Sequence, residues 1–280
     1  MRMNKNKALL SMLAVFALSA CDSKPSDPST PKVDTPKAYQ PSAQEKSVLK
    51  VMFMDEVVTS ADQGDVLEGN TLTPIIGDFV ATNSNAVQKE YERNEVAGDQ
   101  KFRNKTILVS STVKSIDRSV GESYFIGMNG GSNPYINPKA QMADGYTEFL
   151  GNLNKGQKIF LACKGNGMLM GSAMFNKCEP VVPYAKSKVD SYVEKMNIGQ
   201  IVETDTQQRM VLIYSVAIAS QLPADSPCFA PDYYSKACLN QVDTVTKKLT
   251  AANKKKDNSI VEAAIQKIGI KTAPATPTKT

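Results

Sequence analysis

The chain has 280 residues, of which 41% are hydrophobic and 22% charged, a composition that suits one or two globular domains with ample core. Its formal net charge is +5, and removing the three positive charges of the first twenty residues, which hold no acid, leaves +2. A charge that small makes no electrostatic case for nucleic-acid binding. Beyond residue 20, no segment reaches the ~18 apolar residues that a membrane-spanning helix needs.

Residues 1–20 have the pattern of a secretory signal peptide, with a basic start, an apolar core over 8–18 and small residues before the cut. The ending Leu18-Ser19-Ala20-Cys21 resembles the lipobox of bacterial lipoproteins, in which Cys21 is diacylated and becomes the first residue of the mature protein. The alternative is an ordinary signal with a chance cysteine. We favour the lipobox because the leucine, the small pair and the cysteine are all in register.

Lipidation of Cys21 would hold the protein at a membrane, because each buried CH₂ contributes about 0.8 kcal/mol and two or more acyl chains anchor stably. Asp22 follows directly and resembles the signal that keeps enteric lipoproteins in the inner membrane. We therefore expect palmitate at Cys21 and a location on the periplasmic face of the inner membrane. The outer membrane is the alternative if the host does not use the enteric rule.

Residues 21–45 combine the lipid anchor with a proline-rich tether. A tract of proline, serine, aspartate and lysine cannot bury enough apolar surface to fold, so it is expected to be disordered. In polyproline II form, at ~3.1 Å per residue, the stretch from 22 to 41 would reach on the order of 60 Å. The prolines are Pro25, Pro28, Pro31, Pro36 and Pro41.

Residues 46–98 are predicted to form a helical lead-in. Two short helices are expected over 46–82, separated by the break at 64–70, although 51–54 also fits a buried strand. From Asn83, a capping residue, the pattern predicts one helix with Val87, Tyr91 and Asn94 on one face, ending near Gly98.

Residues 99–182 carry the pattern of an OB-type barrel, a five-stranded Greek key. Strands are predicted at 106–116, 124–128, 135–136, 158–163 and 173–182, with a helical turn at 146–153 between the third and the fourth. The fold class is therefore α+β: a five-stranded OB-type β-barrel with an N-terminal helical lead-in and a C-terminal helical region.

Residues 184–270 are predicted to be a cap of four helices, and 271–280 a disordered tail. Capping boxes are expected at Thr204–Gln207 and at Ser259–Glu262, and Gly269 is expected to close the last helix. The apolar run 210–219 is too short to cross a membrane and is read as a buried helix.

Five cysteines remain to be assigned. If Cys21 carries lipid, an even number is left in an exported protein, which predicts two disulfides. Three pairings can form, and sequence proximity favours Cys163–Cys178 and Cys228–Cys238. A metal site is the rival interpretation, but no CxxC motif occurs and the chain has no histidine.

The first of these bridges conflicts with a turn signal. Asn166-Gly167 favours a two-residue hairpin, which would separate Cys163 from Cys178 by ~25 Å along the strand at ~3.3 Å per residue. We favour the bridge, with a wider loop over 164–172.

The region around the barrel resembles a known family, the tRNA-anticodon-like OB-fold family of small bacterial lipoproteins and envelope proteins. The resemblance covers 84–182 and implies an OB fold but no chemistry, since members mostly lack a known activity. This chain departs from the family pattern in its long 127–143 segment. The matching features are Tyr91, Asn94, Asp99, Phe102, Lys105, the strand 108–116, the turn Lys155-Gly156-Gln157 and the cysteines Cys163 and Cys178.

Catalytic patterns are weak. The Ser-x-x-Lys matches at Ser47–Lys50 and Ser111–Lys114 lack the partner motifs of the penicillin-binding enzymes. The acidic group of Glu90, Glu92 and Glu95 fits a solvated helix face, and the glycine-rich 127–132 fits a plain turn better than an anion cradle.

We therefore expect no catalytic residues, no metal, no cofactor and no enzyme activity. The predicted function is a membrane-anchored periplasmic lipoprotein whose OB fold is a non-catalytic binding or structural module for another envelope component. The alternative is an envelope enzyme that uses carboxylates or hydroxyls. The third hypothesis, binding of oligonucleotides or oligosaccharides through the OB face, would need aromatic platforms such as Phe102, Tyr124, Phe125, Tyr135 and Phe160.

Overall fold

A computed structural model describes residues 39–63, 72–118, 123–255 and 257–270. The signal peptide, Cys21, Asp22, most of the tether and the tail 271–280 lie outside the described residues. The described residues form two compact units: residues 53–195, and residues 39–52 together with 196–270. The division at 98 and 182 that the sequence predicts stays a prediction.

Helix α1 (Ala43–Gln63) is one continuous helix of 21 residues where a shorter one was predicted. Its start is a reciprocal capping box: the Ser42 amide donates to Glu45 Oε2 (2.7 Å) and the Glu45 amide to Ser42 Oγ (3.2 Å). The boundary between the two units, at Met52–Phe53, falls within this helix.

The second predicted lead-in helix is wrong beyond its first turn. Helix α2 (Thr73–Ile76) stops at Gly77, whose φ of 73° no helix accommodates, and strand β1 (Phe79–Asn83) follows. The aromatic and β-branched residues of this strand pair in parallel with the first barrel strand.

The helix predicted from Asn83 to Gly98 is two helices, α3 (Ser84–Arg93) and α4 (Glu95–Phe102). Asn83 caps the first as predicted, by accepting from the Ala86 amide (2.8 Å). Asn94 does not lie on the helix face. It is extended, and its side chain accepts from the Ala97 amide (3.1 Å), so it ends α3 and caps α4.

The barrel follows, and its fold class is confirmed. The sheet runs β2-β3-β4-β6-β5, and β5 closes it by pairing with β2. All these neighbours are antiparallel except β4 and β6, which are parallel. This is the strand order of an OB-type barrel. Its elements are β2 (Thr106–Arg118), β3 (Tyr124–Met128), β4 (Lys139–Met142), α5 (Thr147–Gly151), β5 (Lys158–Leu169) and β6 (Ser172–Pro180).

The third strand was predicted at 135–136 and lies instead at Lys139–Met142. Pro134 and Pro138 flank the predicted site, and the Tyr135 amide donates to Asn133 Oδ1 (2.9 Å) in a local turn rather than to a neighbouring strand. Ala140 and Met142 point into the barrel and are buried.

The hairpin β5–β6 resolves the conflict between the bridge and the turn. The disulfide Cys163–Cys178 is present, but the wide loop over 164–172 is not: a tight turn at Met170-Gly171, both with positive φ, joins the strands. The register shifts once between Gly165 and Met168 and shifts back between Ala162 and Lys164. These two bulges cancel, so the cysteines face each other while Asn166-Gly167 lies inside a strand.

One apolar cluster fills the barrel, with contributions from Ile107, Val109, Ile126, Leu161 and Phe175. The elements outside the sheet add to it: Val87 and Tyr91 from α3, Phe102 from α4, and Leu150 from α5. Helix α6 (Val181–Lys195) continues directly from β6 and contacts α2, β5 and β6.

The other unit is helical, with α7 (Ile198–Thr204), α8 (Thr206–Ala219), a 3₁₀ turn (Pro227–Phe229), α9 (Lys236–Lys254) and α10 (Ser259–Ile268). Both predicted capping boxes are displaced, because Asp205 caps α8 through the Gln208 amide and α10 begins after Asn258. Gly269 does close α10, in the left-handed conformation. The described helices include none that is long and apolar enough to cross a membrane.

Candidate functional site

The outer surface of β2, β3 and β4 is the candidate site, because these strands turn exposed or half-buried side chains outward. Ile126 and Met128 of β3 point into the barrel, so alternation puts the half-buried Phe125 and the buried Gly127 on the outer side. The register aligns two rows across the three strands. We call these six residues the open face: Asp117, Phe125 and Gln141 in one row, and Ser115, Gly127 and Lys139 in the other.

Polar contacts order the open face around one aromatic ring. Ser115 Oγ donates to Asp117 Oδ2 (2.7 Å), and Gln141 Nε2 donates to Ser123 Oγ (3.3 Å). A Cβ at Gly127 would lie 2.3 Å from Ser115 Oγ, so only glycine leaves room for that hydroxyl. Lys139 is exposed and makes no hydrogen bond or ion pair within the described chain. The face thus offers Phe125, a free ammonium and an amide for recognition.

Helix α3 fixes the loops at one end of this face. Gln88 is fully buried, its Nε2 donates to the Gly171 carbonyl (2.7 Å), and its Oε1 accepts from the Ala173 amide (2.8 Å). The same helix holds the β3–β4 loop, because Asn85 Oδ1 accepts from the Gly131 amide (3.0 Å). The side-chain nitrogen and oxygen of Gln88 thus clamp the β5–β6 turn, and Asn85 holds the β3–β4 loop.

Glu92 is a second residue of α3 that binds the β3–β4 loop. Its two carboxylate oxygens accept from the Ser132 amide at 3.1 and 3.0 Å. Desolvation would raise the pKa of Glu92, but the hydrogen bonds from Ser132 outweigh it and hold the pKa below its usual value. The amides of Gly131 and Ser132 are therefore occupied, and the glycine-rich 127–132 segment offers them to no anion.

Large apolar side chains project beyond the clamped loops. Met170 is 92% exposed, Tyr135 91% and Leu169 61%. The two loops touch, because a Cβ at Gly171 would lie 3.2 Å from Ile136 Cδ1. We call Tyr135, Ile136, Leu169 and Met170 the apical patch.

The five aromatic residues considered from sequence are not brought together. Phe102 lies in the core and Tyr124 packs against it, whereas Phe160 lies on β5 with Lys158 Nζ 4.8 Å from its ring centre. Only Phe125 belongs to the open face, and Tyr135 belongs to the apical patch. The barrel therefore has no row of stacking platforms of the kind that single-strand binders use.

The residues of the candidate catalytic patterns are not brought together in a common site either. Ser47 Oγ donates to the Cys228 carbonyl and is used structurally. Ser111 Oγ lies 2.6 Å from Ser84 Oγ, while the Lys114 ammonium donates to Asn137 Oδ1 (2.8 Å) and to the Pro134 carbonyl. Of the three acids on the surface helices, Glu90 pairs with Arg93 and Glu92 binds Ser132.

Residues that carried the family resemblance have structural roles. Tyr91 is buried over Gly98, where a Cβ would lie 2.5 Å from the ring, and its hydroxyl donates to Asp99 (3.2 Å). Burial, and then Asp99, raise the pKa of Tyr91. Asp99 also accepts from Arg103 (2.8 Å). These contacts fasten α3 to α4 and form no reaction centre.

The four remaining cysteines form the two predicted bridges, Cys163–Cys178 and Cys228–Cys238, and all four are buried. Within the described ranges, no group of three His, Cys, Asp or Glu side chains could hold a metal ion. Cys21 and Asp22 lie outside the described residues, so their predicted roles stay predictions.

Comparison with known proteins agrees with the strand order. The sequence profile of the tRNA_anti-like family matches residues 3–179, more than half of the chain. The chain belongs to this family. OB-fold domains of the tRNA_anti-like type are typically binding modules. No curated protein and no solved structure matches the chain.

Sequence reasoning missed two features, a helix cap outside the site and the clamp on its loops. The Ser42–Glu45 box was readable as S-x-x-E at the start of α1. The Gln88 clamp was not, because an amide in the charged stretch 85–93 looks like a surface residue, and its partners lie 83 and 85 positions away.

Proposed function

We propose that this protein is a lipid-anchored envelope protein whose barrel binds another envelope component without catalysing a reaction. The observation that carries the binding role is the open face: a tRNA_anti-like barrel presents Phe125 and Lys139 outward on strands that OB folds use for recognition. Location on the periplasmic face of the inner membrane rests on Cys21 and Asp22.

The anchor is supported by the lipobox register and by two buried disulfides, which suit an oxidising compartment. Metabolic labelling with a palmitate analogue should tag the wild-type chain and should not tag Cys21→Ala. The matched control is Cys163→Ser with Cys178→Ser, which should still be labelled. Labelling that survives the loss of Cys21 contradicts the anchor.

Sorting by Asp22 is a separate step. In a host with the enteric rule, Asp22→Ser should move the protein from the inner to the outer membrane. Membrane fractionation measures this, and identical distributions of the two proteins would remove the argument for Asp22.

Binding through the open face predicts position-specific crosslinking. A photoreactive phenylalanine analogue at Phe125 should capture an envelope protein in intact cells, whereas the same analogue at Phe160 should not. Phe160 is the matched control because it is another half-buried aromatic on a barrel strand, beneath Lys158. Equal capture at both positions, or at neither, contradicts the proposed face.

Non-catalytic action is supported by two places, the open face and one groove in the helical unit, neither of which presents a pair of acids. Asp117, the carboxylate of the open face, accepts a hydrogen bond from Ser115 and has no second acid across the row. The groove between α8 and α10, lined by Val216, Ile260, Ala263 and neighbours, contains no carboxylate. Because the chain has no histidine, general acid–base catalysis would have to rely on carboxylates.

A further inference from the structure

We propose that the apical patch is a membrane-contact surface that enters the interface of a bilayer carrying anionic lipids. The proposal goes beyond the binding role of the open face, and it does not depend on lipidation of Cys21. It commits to a lipid surface as the partner of Tyr135, Ile136, Leu169 and Met170.

The exposure of the patch is the first observation. Tyr135 and Met170 each keep more than nine-tenths of their surface in solvent, and Leu169 keeps 61%. Scattered apolar residues are ordinary on protein surfaces, but these belong to two loops that touch through Gly171 and Ile136. Together they form one apolar projection.

The shape of the projection favours a bilayer over a protein groove. Leu169 and Met170 lie at the tip of a two-residue hairpin turn, and Tyr135 lies at the turn of the neighbouring loop. Convex apolar tips can enter the headgroup region without a complementary pocket. Tyrosine suits the headgroup region because its ring is apolar and its hydroxyl remains hydrated there.

Both loops are held rigidly, which reduces the entropy lost on insertion. Gln88 clamps the hairpin at Gly171 and Ala173, and Glu92 holds the other loop at Ser132. Lys114 braces the segment that carries Tyr135 through the Pro134 carbonyl and Asn137.

The two segments that carry the apical patch contain basic residues and no acidic ones. The two segments 129–142 and 164–177 contain three lysines and no aspartate or glutamate. The lysines are Lys139, Lys164 and Lys177, and Lys139 lies nearest in sequence, three residues after Ile136. Two carboxylates lie beside these segments: Glu92 accepts from the Ser132 amide, and Asp99, close to Gly167, accepts from Arg103. Each lysine near an anionic bilayer contributes about 1 kcal/mol, a factor of roughly five in binding.

The chain contains no tryptophan, so a single introduced tryptophan reports local insertion. Full-length Tyr135→Trp should shift to shorter emission wavelengths with phosphatidylglycerol-containing vesicles and should be quenched by brominated acyl chains. Val182→Trp is the matched control: Val182 is an exposed apolar residue (42%) beyond the far end of β6, ~26 Å along the strand from the turn. It should change neither emission nor quenching.

Two further substitutions in the Tyr135→Trp chain test the apolar and the electrostatic contributions to vesicle binding separately. Met170→Ser should weaken vesicle binding about tenfold, because a large apolar side chain no longer enters the interface. Lys139→Gln should weaken it about fivefold on anionic vesicles and have no effect on phosphatidylcholine. Because the readout is local, it is independent of how the amino terminus is attached.

Three outcomes would overturn the proposal: an unchanged Tyr135→Trp spectrum, equal quenching at positions 135 and 182, or a shift that needs membrane proteins and is absent with pure lipid. The last would assign the patch to a protein partner. Thermal unfolding verifies that each variant is folded, and Met170→Trp serves as a second reporter if Tyr135→Trp is not.

Discussion

At the scale of single residues, Gln88 shows how much a barrel loop depends on one buried amide. Gln88→Leu should destabilise the protein by about 1–3 kcal/mol, because the Ala173 amide, buried away from solvent, loses its acceptor. Denaturant unfolding measures the change. Lys89→Ala, at the exposed neighbouring position, should change the free energy of unfolding by less than about 0.5 kcal/mol. Equal effects would contradict the clamp.

Glu45 is the second residue whose environment gives a testable result. Burial would raise its pKa, but hydrogen bonds from Lys267 (2.7 Å) and Ser42 outweigh burial and lower the pKa below its ordinary value of 4.5. The unfolded chain therefore takes up the proton first as the pH falls. The stability that Glu45 contributes is complete above its unfolded pKa and is lost as the pH falls through the lowered folded pKa.

The expected result is a difference in unfolding free energy between the wild type and Glu45→Gln that is constant near neutrality and shrinks below about pH 4.5. Titration of denaturant unfolding from about pH 7 to about pH 3 measures it. Lys267→Met should reduce the same pH dependence, because it removes the hydrogen-bonding partner that lowers the pKa of Glu45 most. A difference that grows as the pH falls would contradict a lowered pKa of Glu45 in the folded protein.

At the scale of elements, hydrophobic periodicity identified four of the five barrel strands and the helix between the third and the fourth. Each of these elements has one face in a shared core, which gives it a readable pattern. The third strand was missed because only Ala140 and Met142 mark it as apolar, whereas Tyr135 and Ile136 looked more strand-like. β1 was read as helix because its five residues gain their pairing from β2, 27 positions away in register. The open face itself follows from alternation once Ile126 is placed inside, but no local signal reveals which helix holds its loops.

The two bulges of the β5–β6 hairpin explain why the turn signal at Asn166-Gly167 does not mark the turn, and why no wide loop over 164–172 is needed. Asn166-Gly167 has the composition of a turn, but the same left-handed conformation at Gly167 serves a bulge inside the strand. The pairing of Cys163 with Cys178 was predicted correctly, because a disulfide requires its two cysteines to lie close together. Their Cα–Cα distance in the structure is 4.1 Å. A covalent constraint was thus the stronger predictor.

The bridge between β5 and β6 should be a major stabilising element. Replacing Cys163 and Cys178 together by serine should lower the free energy of unfolding by ~2–5 kcal/mol and leave membrane attachment unchanged. Non-reducing peptide mapping should recover Cys163 with Cys178 and Cys228 with Cys238 as separate linked pairs. A peptide linking Cys163 to Cys238 would contradict the division into a barrel unit and a helical unit.

At the scale of the whole molecule, the charge distribution bears on the third functional hypothesis, nucleic-acid binding. Single-strand binders combine a basic groove with several stacking rings, and each phosphate contact steepens the dependence of affinity on salt. The open face offers one ring, Phe125, and one free cation, Lys139, beside the carboxylate of Asp117. The chain without its first twenty residues carries a net charge of only +2.

We therefore expect no binding of single-stranded DNA or RNA oligonucleotides tighter than about micromolar near ~0.15 M salt, since a face with one stacking ring gains only ~1–3 kcal/mol per base. Fluorescence anisotropy with labelled homopolymers measures this, and Phe125→Ala is the control variant. Two results together would reinstate the hypothesis: submicromolar binding that weakens steeply with salt, and its loss in Phe125→Ala. Weak binding that is equal in wild type and variant would instead reflect lysines elsewhere on the surface, because removal of the ring must weaken any complex that stacks on the open face.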